Sequence, residues 1–546
     1  MAGATLPAPG SRRSPDRLSG TDCCRRLLLA LLLFALSGCG GTAPSLPTDT
    51  LRLAISTEPH SLDPILAQSI QDNEVERLLF DPLIACDQHG RPVPALAVQV
   101  PTRANGGISP DGLRITYRLR HGVRWHDGHL FTSADVLASF RAVMDPRNPV
   151  QTRHGYDQVT RVETPDPFTI AFQLRRPFAP FVGTVFAESD APYYVAPASL
   201  LHGALERSAI GSAPIGTGPY RLVRWVHGDH LELAANPSYW GGTPAIPHVT
   251  LRFISDENSQ IVGLRTGELD GVIGISANAA GGATDIPHVH VATAPLNAYY
   301  GIMMNTARAP TNDVRVRRAI AETLDAAAFR ADVTHGLYAP AIADLPTVLW
   351  AADRQLRPIP HDPGDARRLF AQAGYGPAHR LVLNLAIIGN FQTHRVEAVA
   401  LQGALRALDV EVRIHPYIGN QYDAPPQAGG ILSRGKYDIA IYGWNAGMDP
   451  DDSGQFTCDQ RPPLGYDHSF YCSAAMDAAQ HDALRAYDEP TRRHAYARIE
   501  ALLLRDVPIA FLASPVAISA LRDDLSGFAP SLVTQVAGAQ RWVLHR

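Results

Sequence analysis

Few residues in this chain have the types and spacing that chemistry needs. His126 stands beside Asp127 in Trp125-His126-Asp127-Gly128, a pairing that acid–base catalysis uses. No nucleophile motif accompanies it, so residues that fix a turn are the favoured reading. His288-Val289-His290 would put two imidazoles on one face of a strand, which permits ligation of a metal or haem, but an exposed polar strand face is the favoured reading. Cys458 and Cys472 flank the turn-rich Arg461-Pro462-Pro463-Leu464-Gly465. In an oxidising compartment they read as a disulfide closing that loop, and a metal pair is the weaker reading because neither has a CxxC partner. Gly216-Thr217-Gly218 lacks the GxGxxG spacing and the following helix of a phosphate cradle. The sequence carries no GxSxG, HExxH or Walker A motif. A secreted hydrolase is therefore disfavoured, and no cofactor is expected.

The frame for these residues is large. The chain has 546 residues, 45% of them hydrophobic, which predicts two or three domains. A net charge of -5 without a basic block argues against a nucleic-acid partner. At the front, Arg25-Arg26 precede the apolar run Leu27 to Leu36, too short to span a bilayer. Leu36-Ser37-Gly38-Cys39 then resembles a bacterial lipobox, which implies a signal peptide over 1–38, cleavage before Cys39 and lipidation of its thiol; an ordinary signal peptide is the alternative. Residues 39–50 are rich in Gly, Thr, Ser and Pro and suit a flexible tether. Cys86 would be left unpaired and buried.

Of the positioning elements, Lys436 to Pro450 is the most informative. Ile439 to Tyr442 is continuously apolar, as in a strand covered on both faces. It breaks at Gly443, Trp444 follows where the strand should end, and Asp449-Pro450-Asp451-Asp452 reads as a turn. Ligands of open α/β sheets sit outside the carboxyl ends of strands. Trp444 is thus placed to line a cleft, although a core aromatic at a strand end is the plainer reading. Leu113, Ile115, Tyr117 and Leu119 alternate on a strand, and Thr132 or Ser133 caps a helix whose dipole Asp135 complements. The spacing predicts one helix over Val314 to Val333. It predicts another whose apolar face carries Val396, Val399, Ala400, Leu405 and Leu408. Strands at Leu381 to Ile388 and Val410 to Ile414 flank that helix and predict a parallel α/β sheet.

Several segments, weak singly, are specific in series. Ser61-Leu62-Asp63-Pro64, Leu119 to Gly128, Gly216-Thr217-Gly218-Pro219-Tyr220, Asn236-Pro237-Ser238-Tyr239-Trp240, Gly267-Glu268-Leu269-Asp270, Met304-Asn305-Thr306, Asp313 to Ile320 and Asp365 to Tyr375 follow one another in order. Together they resemble the solute-binding proteins of peptide ABC transporters (family 5, the dipeptide and oligopeptide type) over about residues 50–546. The resemblance implies an α/β, two-lobed periplasmic-binding-protein clamp (type II-like, cluster C) with an extra domain. The first lobe would be built from 51–90, 213–295 and 506–546, the extra domain from 91–212, and the second lobe from 296–505. The implied ligand is a peptide or peptide-like solute, added as a strand to Gly443, Trp444 and Asn445, with Thr57, Glu58, Pro59 and His60 facing them. Non-peptide cargoes of the family (sugars, metal chelates, haem, glutathione) are the alternative. The implied partners are ABC permease and ATPase subunits. The protein would be a monomer exported to the cell envelope and periplasmic space, lipid-anchored to a membrane. One position departs: peptide binders usually carry an Asp for the ligand's ammonium three residues after the Trp, and Gly447 stands there. Asp449 is the substitute this sequence offers.

Overall fold

The computed structural model describes residues 49–546 except 67–68, 190–191 and 206–207. The signal segment, Cys39 and the tether up to residue 48 lie outside the described residues. Two mixed sheets form the scaffold. The first has seven strands, in the order Val289–Pro295, Val516–Arg522, Gly271–Ile273, Thr50–Ile55, His248–Phe253, His230–Ala235 and Tyr220–Val226. Thr50–Ile55 runs parallel to both of its neighbours, with Leu51 opposite Val249 and Leu53 opposite Gly271. Leu51, Leu53 and Ala54 are wholly buried because apolar clusters cover both faces of this sheet.

The second sheet has five strands: Glu411–Tyr417, Val382–Ile388, Ile439–Asn445, Ala298–Met304 and Ile509–Ala513. Helices Val314–Thr323, Pro363–Gln372 and Gln392–Arg406 contribute to the apolar cluster on one of its faces. On the other face Tyr299, Met303, Ala440 and Tyr442 join a core that runs on into the three-stranded sheet Arg114–Arg118, Thr169–Leu174 and Val159–Asp166. There Ile115, Tyr117 and Leu119 turn inward, as their alternation predicts. Beside them Thr132 N donates to Asp135 Oδ2 at 2.8 Å, closing the start of helix Ser133–Met144.

The chain passes between the two large sheets twice. Val289–Pro295 continues into Ala298–Met304 through Leu296-Asn297, and Ile509–Ala513 continues into Val516–Arg522 through Ser514-Pro515. Ile509–Ala513 pairs with Ala298–Met304. The return crossing between the two sheets therefore falls after Ala513.

Two helix expectations are corrected. Val314 to Val333 is two helices, Val314–Thr323 and Ala326–Val333, because Asp325 Oδ1 accepts from Ala327 N at 3.0 Å and Ala328 N at 2.9 Å and so starts a new helix. In Gln392–Arg406 the buried face is His394, Glu397, Ala398, Leu401 and Leu405, whereas Val396 and Val399 are exposed. The Cys458–Cys472 disulfide is formed and Cys86 is a buried free thiol. Among the described residues, no helix is long and apolar enough to cross a membrane.

Candidate functional site

The strand Ile439–Asn445 is wholly paired along one side, from Ala298 opposite Asn445 to Met304 opposite Ile439. On its other side, parallel pairing with Val382–Ile388 covers only Ile439 and Ala440. The Tyr422 hydroxyl donates to Ile441 O at 2.5 Å. From Tyr442 to Asn445 that side has no strand partner among the described residues. This is a short backbone edge open to an extended guest. Gly443 and Asn445 are exposed and Trp444 is half-buried.

Successive side chains of a strand point to opposite faces, and this one serves two spaces. Trp444 packs at 5.4 Å on Tyr466 and lines a crevice of about 350 Å³ whose other walls include His154, Phe178 and Thr184. Asn445 lines a cavity of about 80 Å³. Around that cavity stand Asn73 and Glu74 of helix Ile70–Leu79, Glu188 and Ser189, and Thr534 and Gln535 near the C-terminus. The crossing residue Asn297 holds the adjoining loop. Its Nδ2 donates to Gly447 O at 2.7 Å, and its carbonyl accepts from Ala446 N at 2.7 Å. Met448 N donates to Glu188 O at 3.2 Å, which ties the same loop to the opposite wall.

The acidic turn that follows is committed elsewhere. Both oxygens of Asp449 accept from Arg492, Oδ1 at 2.6 Å and Oδ2 at 2.9 Å, and the guanidinium also packs over Trp350. Burial alone would discharge Arg492, but Asp449 outweighs it and keeps it charged. Asp449, the substitute offered for an ammonium partner, is thus paired within its own chain and does not line the cavity beside Asn445. Asp451 pairs with His154 at 2.9 Å. Asp452 accepts from Gln480 Nε2 at 2.7 Å and faces Asp344; burial raises both carboxyls, Asp344 to about 7, and their proximity raises Asp452 further.

Thr57 to His60 are also placed away from that wall. Glu58 accepts from Trp225 Nε1 at 2.8 Å, His227 Nδ1 at 2.8 Å and Gly228 N at 2.9 Å, which locks it to a hairpin of the first sheet. His60 N donates to Asp72 Oδ1 at 2.8 Å, Pro59 is buried and Thr57 is exposed. On the first-lobe side, the cavity is lined instead by Asn73, Glu74, Thr534 and Gln535. These residues carry no motif and lie some 460 positions apart in the chain. A shared contact, Thr534 Oγ1 to Glu74 Oε2 at 2.7 Å, brings the two ends together.

His126, which invited an acid–base reading, and His290, which invited a metal-binding one, have structural partners. His126 Nδ1 accepts from Gly216 N, and its Nε2 meets Gly218 O, each at 3.1 Å. Burial pushes its pKa down to about 4, so a neutral ring staples the Gly216–Gly218 turn to the extra domain. This turn needs glycine: a Cβ on Gly216 would lie 1.8 Å from Leu79 O. His290 pairs with Asp523 at 3.0 Å.

Comparison with known proteins agrees with this architecture. The family model of the bacterial extracellular solute-binding proteins, family 5, matches residues 91–460. A curated protein of Pseudomonas aeruginosa, di/tripeptide-binding protein 2, is 28% identical over 530 residues, covering 92% of this chain and 96% of its own. A glutathione-binding protein of Pectobacterium atrosepticum is 26% identical over 480 residues, covering 87% and 90%. Among solved structures, an ABC transporter substrate-binding protein of Listeria monocytogenes superposes with a TM-score of 0.80 at 23% identity, covering 91% of this chain and 99% of its own. A periplasmic binding protein of Helicobacter pylori in complex with a peptide superposes at 0.75 with 24% identity, covering 91% and 98%.

Proposed function

Because this chain belongs to the bacterial extracellular solute-binding proteins of family 5, binding proteins of ABC transport and not enzymes, we propose that it captures a peptide or peptide-like solute between its lobes and hands it to an ABC permease. The observation that supports this reading is the one backbone edge of Tyr442 to Asn445 that has no strand partner among the described residues, beside the cavity that Asn445 lines. A guest strand laid on that edge gains main-chain hydrogen bonds whatever its side chains, which suits a carrier of varied peptides. Gly443, Trp444 and Asn445 are the residues that take it. The two crossings, Leu296-Asn297 and Ser514-Pro515, are the hinge; few residues need to change dihedral angles for the lobes to part. On this division the first lobe is 51–90, 213–295 and the segment after the second crossing. The extra domain is 91–212, and the second lobe runs from 296 to that crossing.

We also propose export through the signal segment 1–38, a lipid anchor on Cys39, a tether over 39–50, and action as a monomer beside the permease and ATPase subunits. Replacing Cys39 by Ala should release the protein from membranes and abolish fatty-acid labelling.

Glutathione, a tripeptide, is the second reading, favoured by a relative with 26% identity over 480 residues. The deciding experiment is thermal unfolding of protein refolded free of cargo, against peptides of two to six residues and glutathione. A ligand at 100 times its Kd should add about 2.7 kcal/mol of stability. A panel in which neither peptides nor glutathione move the transition would refute the proposal.

A further inference from the structure

Gly447 removes the carboxylate expected on the second lobe, and Asp449 is neutralised by Arg492. The cavity next to Asn445 is nevertheless rich in acceptors. Glu188 accepts from Arg77 Nε at 2.7 Å and from Cys86 N at 2.9 Å. Arg77 also pairs with Asp81 at 3.1 Å. Asp81 is otherwise met only by neutral donors, namely Trp240, Tyr239 and Thr217. Among the described residues, one cation therefore serves two carboxylates. Glu74 is a third, and its donors are also neutral: Gln535 N at 2.9 Å, Val536 N at 3.2 Å and Thr534 Oγ1 at 2.7 Å. Beside it, Asn73 Oδ1 is buried with no donor among the described residues. Lys, Arg and His do not occur among the described residues that line this cavity.

We propose that Glu74 and Asn73, on the first lobe, are the partners of the cargo's primary ammonium, replacing the carboxylate missing at Gly447. This rests on the function proposed above and specifies which end of the cargo is read, and from which lobe. An ammonium carries three donors and one positive charge, and the wall offers a carboxylate without a cation and an amide oxygen without a donor. The cavity, about 80 Å³, has room for a head group of a few heavy atoms, and the rest of the cargo runs out along the Gly443–Asn445 edge. Asn445 stands where that edge meets the cavity, so an amino terminus there and a strand on the edge are geometrically continuous.

A second consequence follows from charge. Burial, with Glu188 adding to it, pushes Glu74 up to about 7, so part of the population holds a proton near neutrality. The charged or titratable groups facing it are Glu188, Arg77 behind Glu188, and the Tyr194 phenol, which burial keeps neutral. A cation arriving at Glu74 favours its ionised form, so binding should release a proton.

The test is calorimetry of cargo-free protein with a peptide from the panel, free and N-acetylated, in two buffers of different ionisation enthalpy near neutral pH. Wild type should prefer the free peptide by about tenfold or more, the scale of one charge-assisted hydrogen bond, and release protons. Glu74→Gln should erase both the preference and the proton release while still binding the acetylated peptide. Asn73→Ala loses no side-chain hydrogen bond seen in the structure, so it tests the site even if Glu74→Gln folds poorly; it too should weaken only the free peptide. Asp190→Asn, between the lining residues Ser189 and Pro192, should change nothing. Equal binding of both peptides by wild type, a preference that survives Glu74→Gln and Asn73→Ala, or one that Asp190→Asn abolishes would each overturn the inference and leave peptide capture standing. Binding of neither peptide overturns both.

Discussion

Replacing Asp449 by Ala separates two roles that this residue could have. The structure makes it the counter-ion of Arg492, with hydrogen bonds of 2.6 and 2.9 Å and side chains only 9% and 13% exposed for Arg492 and Asp449. Truncation would leave a buried guanidinium with, among the described residues, the Tyr496 hydroxyl at 3.1 Å and the rings of Trp350 and Tyr496 but no carboxylate. Stranding one member of a buried ion pair costs about 3–5 kcal/mol. Asp449→Ala should therefore unfold at markedly lower urea or temperature, yet keep wild-type cargo affinity where it is folded. Arg492→Met alone should also destabilise, and the double variant should recover much of the loss, since no unpaired charge remains. A double-mutant cycle reads the coupling directly. The opposite pattern, with stability unchanged and cargo affinity lost, would refute the assignment and return Asp449 to the ligand.

Other expectations follow from particular contacts. Reducing Cys458–Cys472, or replacing both by Ser, should cost about 3 kcal/mol in the chain-entropy account of a loop this long, read as a lower midpoint in urea; an unchanged midpoint counts against it. Burial pushes Glu397 from 4.5 up to about 8, with Tyr300 opposing. Its proton is held by the folded state, so its contribution is intact at low pH and is lost as pH rises from about 4.5 towards 8. Wild type should lose about 3 kcal/mol relative to Glu397→Gln between about pH 5 and pH 7.5, and parallel stability curves would contradict this. Gly216→Ala drives a methyl into the Leu79 carbonyl and should cost about 3 kcal/mol or more, seen as loss of soluble folded protein; wild-type stability would show that the turn can move. Asn297→Ala should cost about 1 kcal/mol by freeing Gly447 O, and an unaltered melting temperature would discount that contact.

Local pattern was enough where chemistry is local. The run Ile439 to Tyr442 is a buried strand because four consecutive apolar residues suit a strand covered on both faces, and Ile115, Tyr117 and Leu119 turn inward by simple alternation. Cys458 and Cys472 bracket a turn short enough for their pairing to be read from spacing and compartment. Periodicity was less reliable in helices. Asp325 splits an apparently continuous apolar face because a capping carboxylate outweighs the pattern around it. In Gln392–Arg406 the core took His394 and Glu397 and left two valines in water, since packing against the sheet, rather than residue type, chose the face.

The sequence by itself determined the buried strand at Ile439 to Tyr442 and the turn after it, because periodicity and turn residues are properties of neighbouring positions; the clamp, and the carboxylate expected where Gly447 stands, were implied by the resemblance that the motif order carries. Only the tertiary structure decided where the charges went. Asp449 looked available until Arg492, 43 positions away, took both of its oxygens. Glu58 looked like cleft lining until Trp225 and His227 claimed it. Glu74 and Asn73 were unremarked helix residues until the C-terminal segment closed beside them. A carboxylate's role is set by which donors reach it and how far water is excluded, and both depend on segments that only folding brings together.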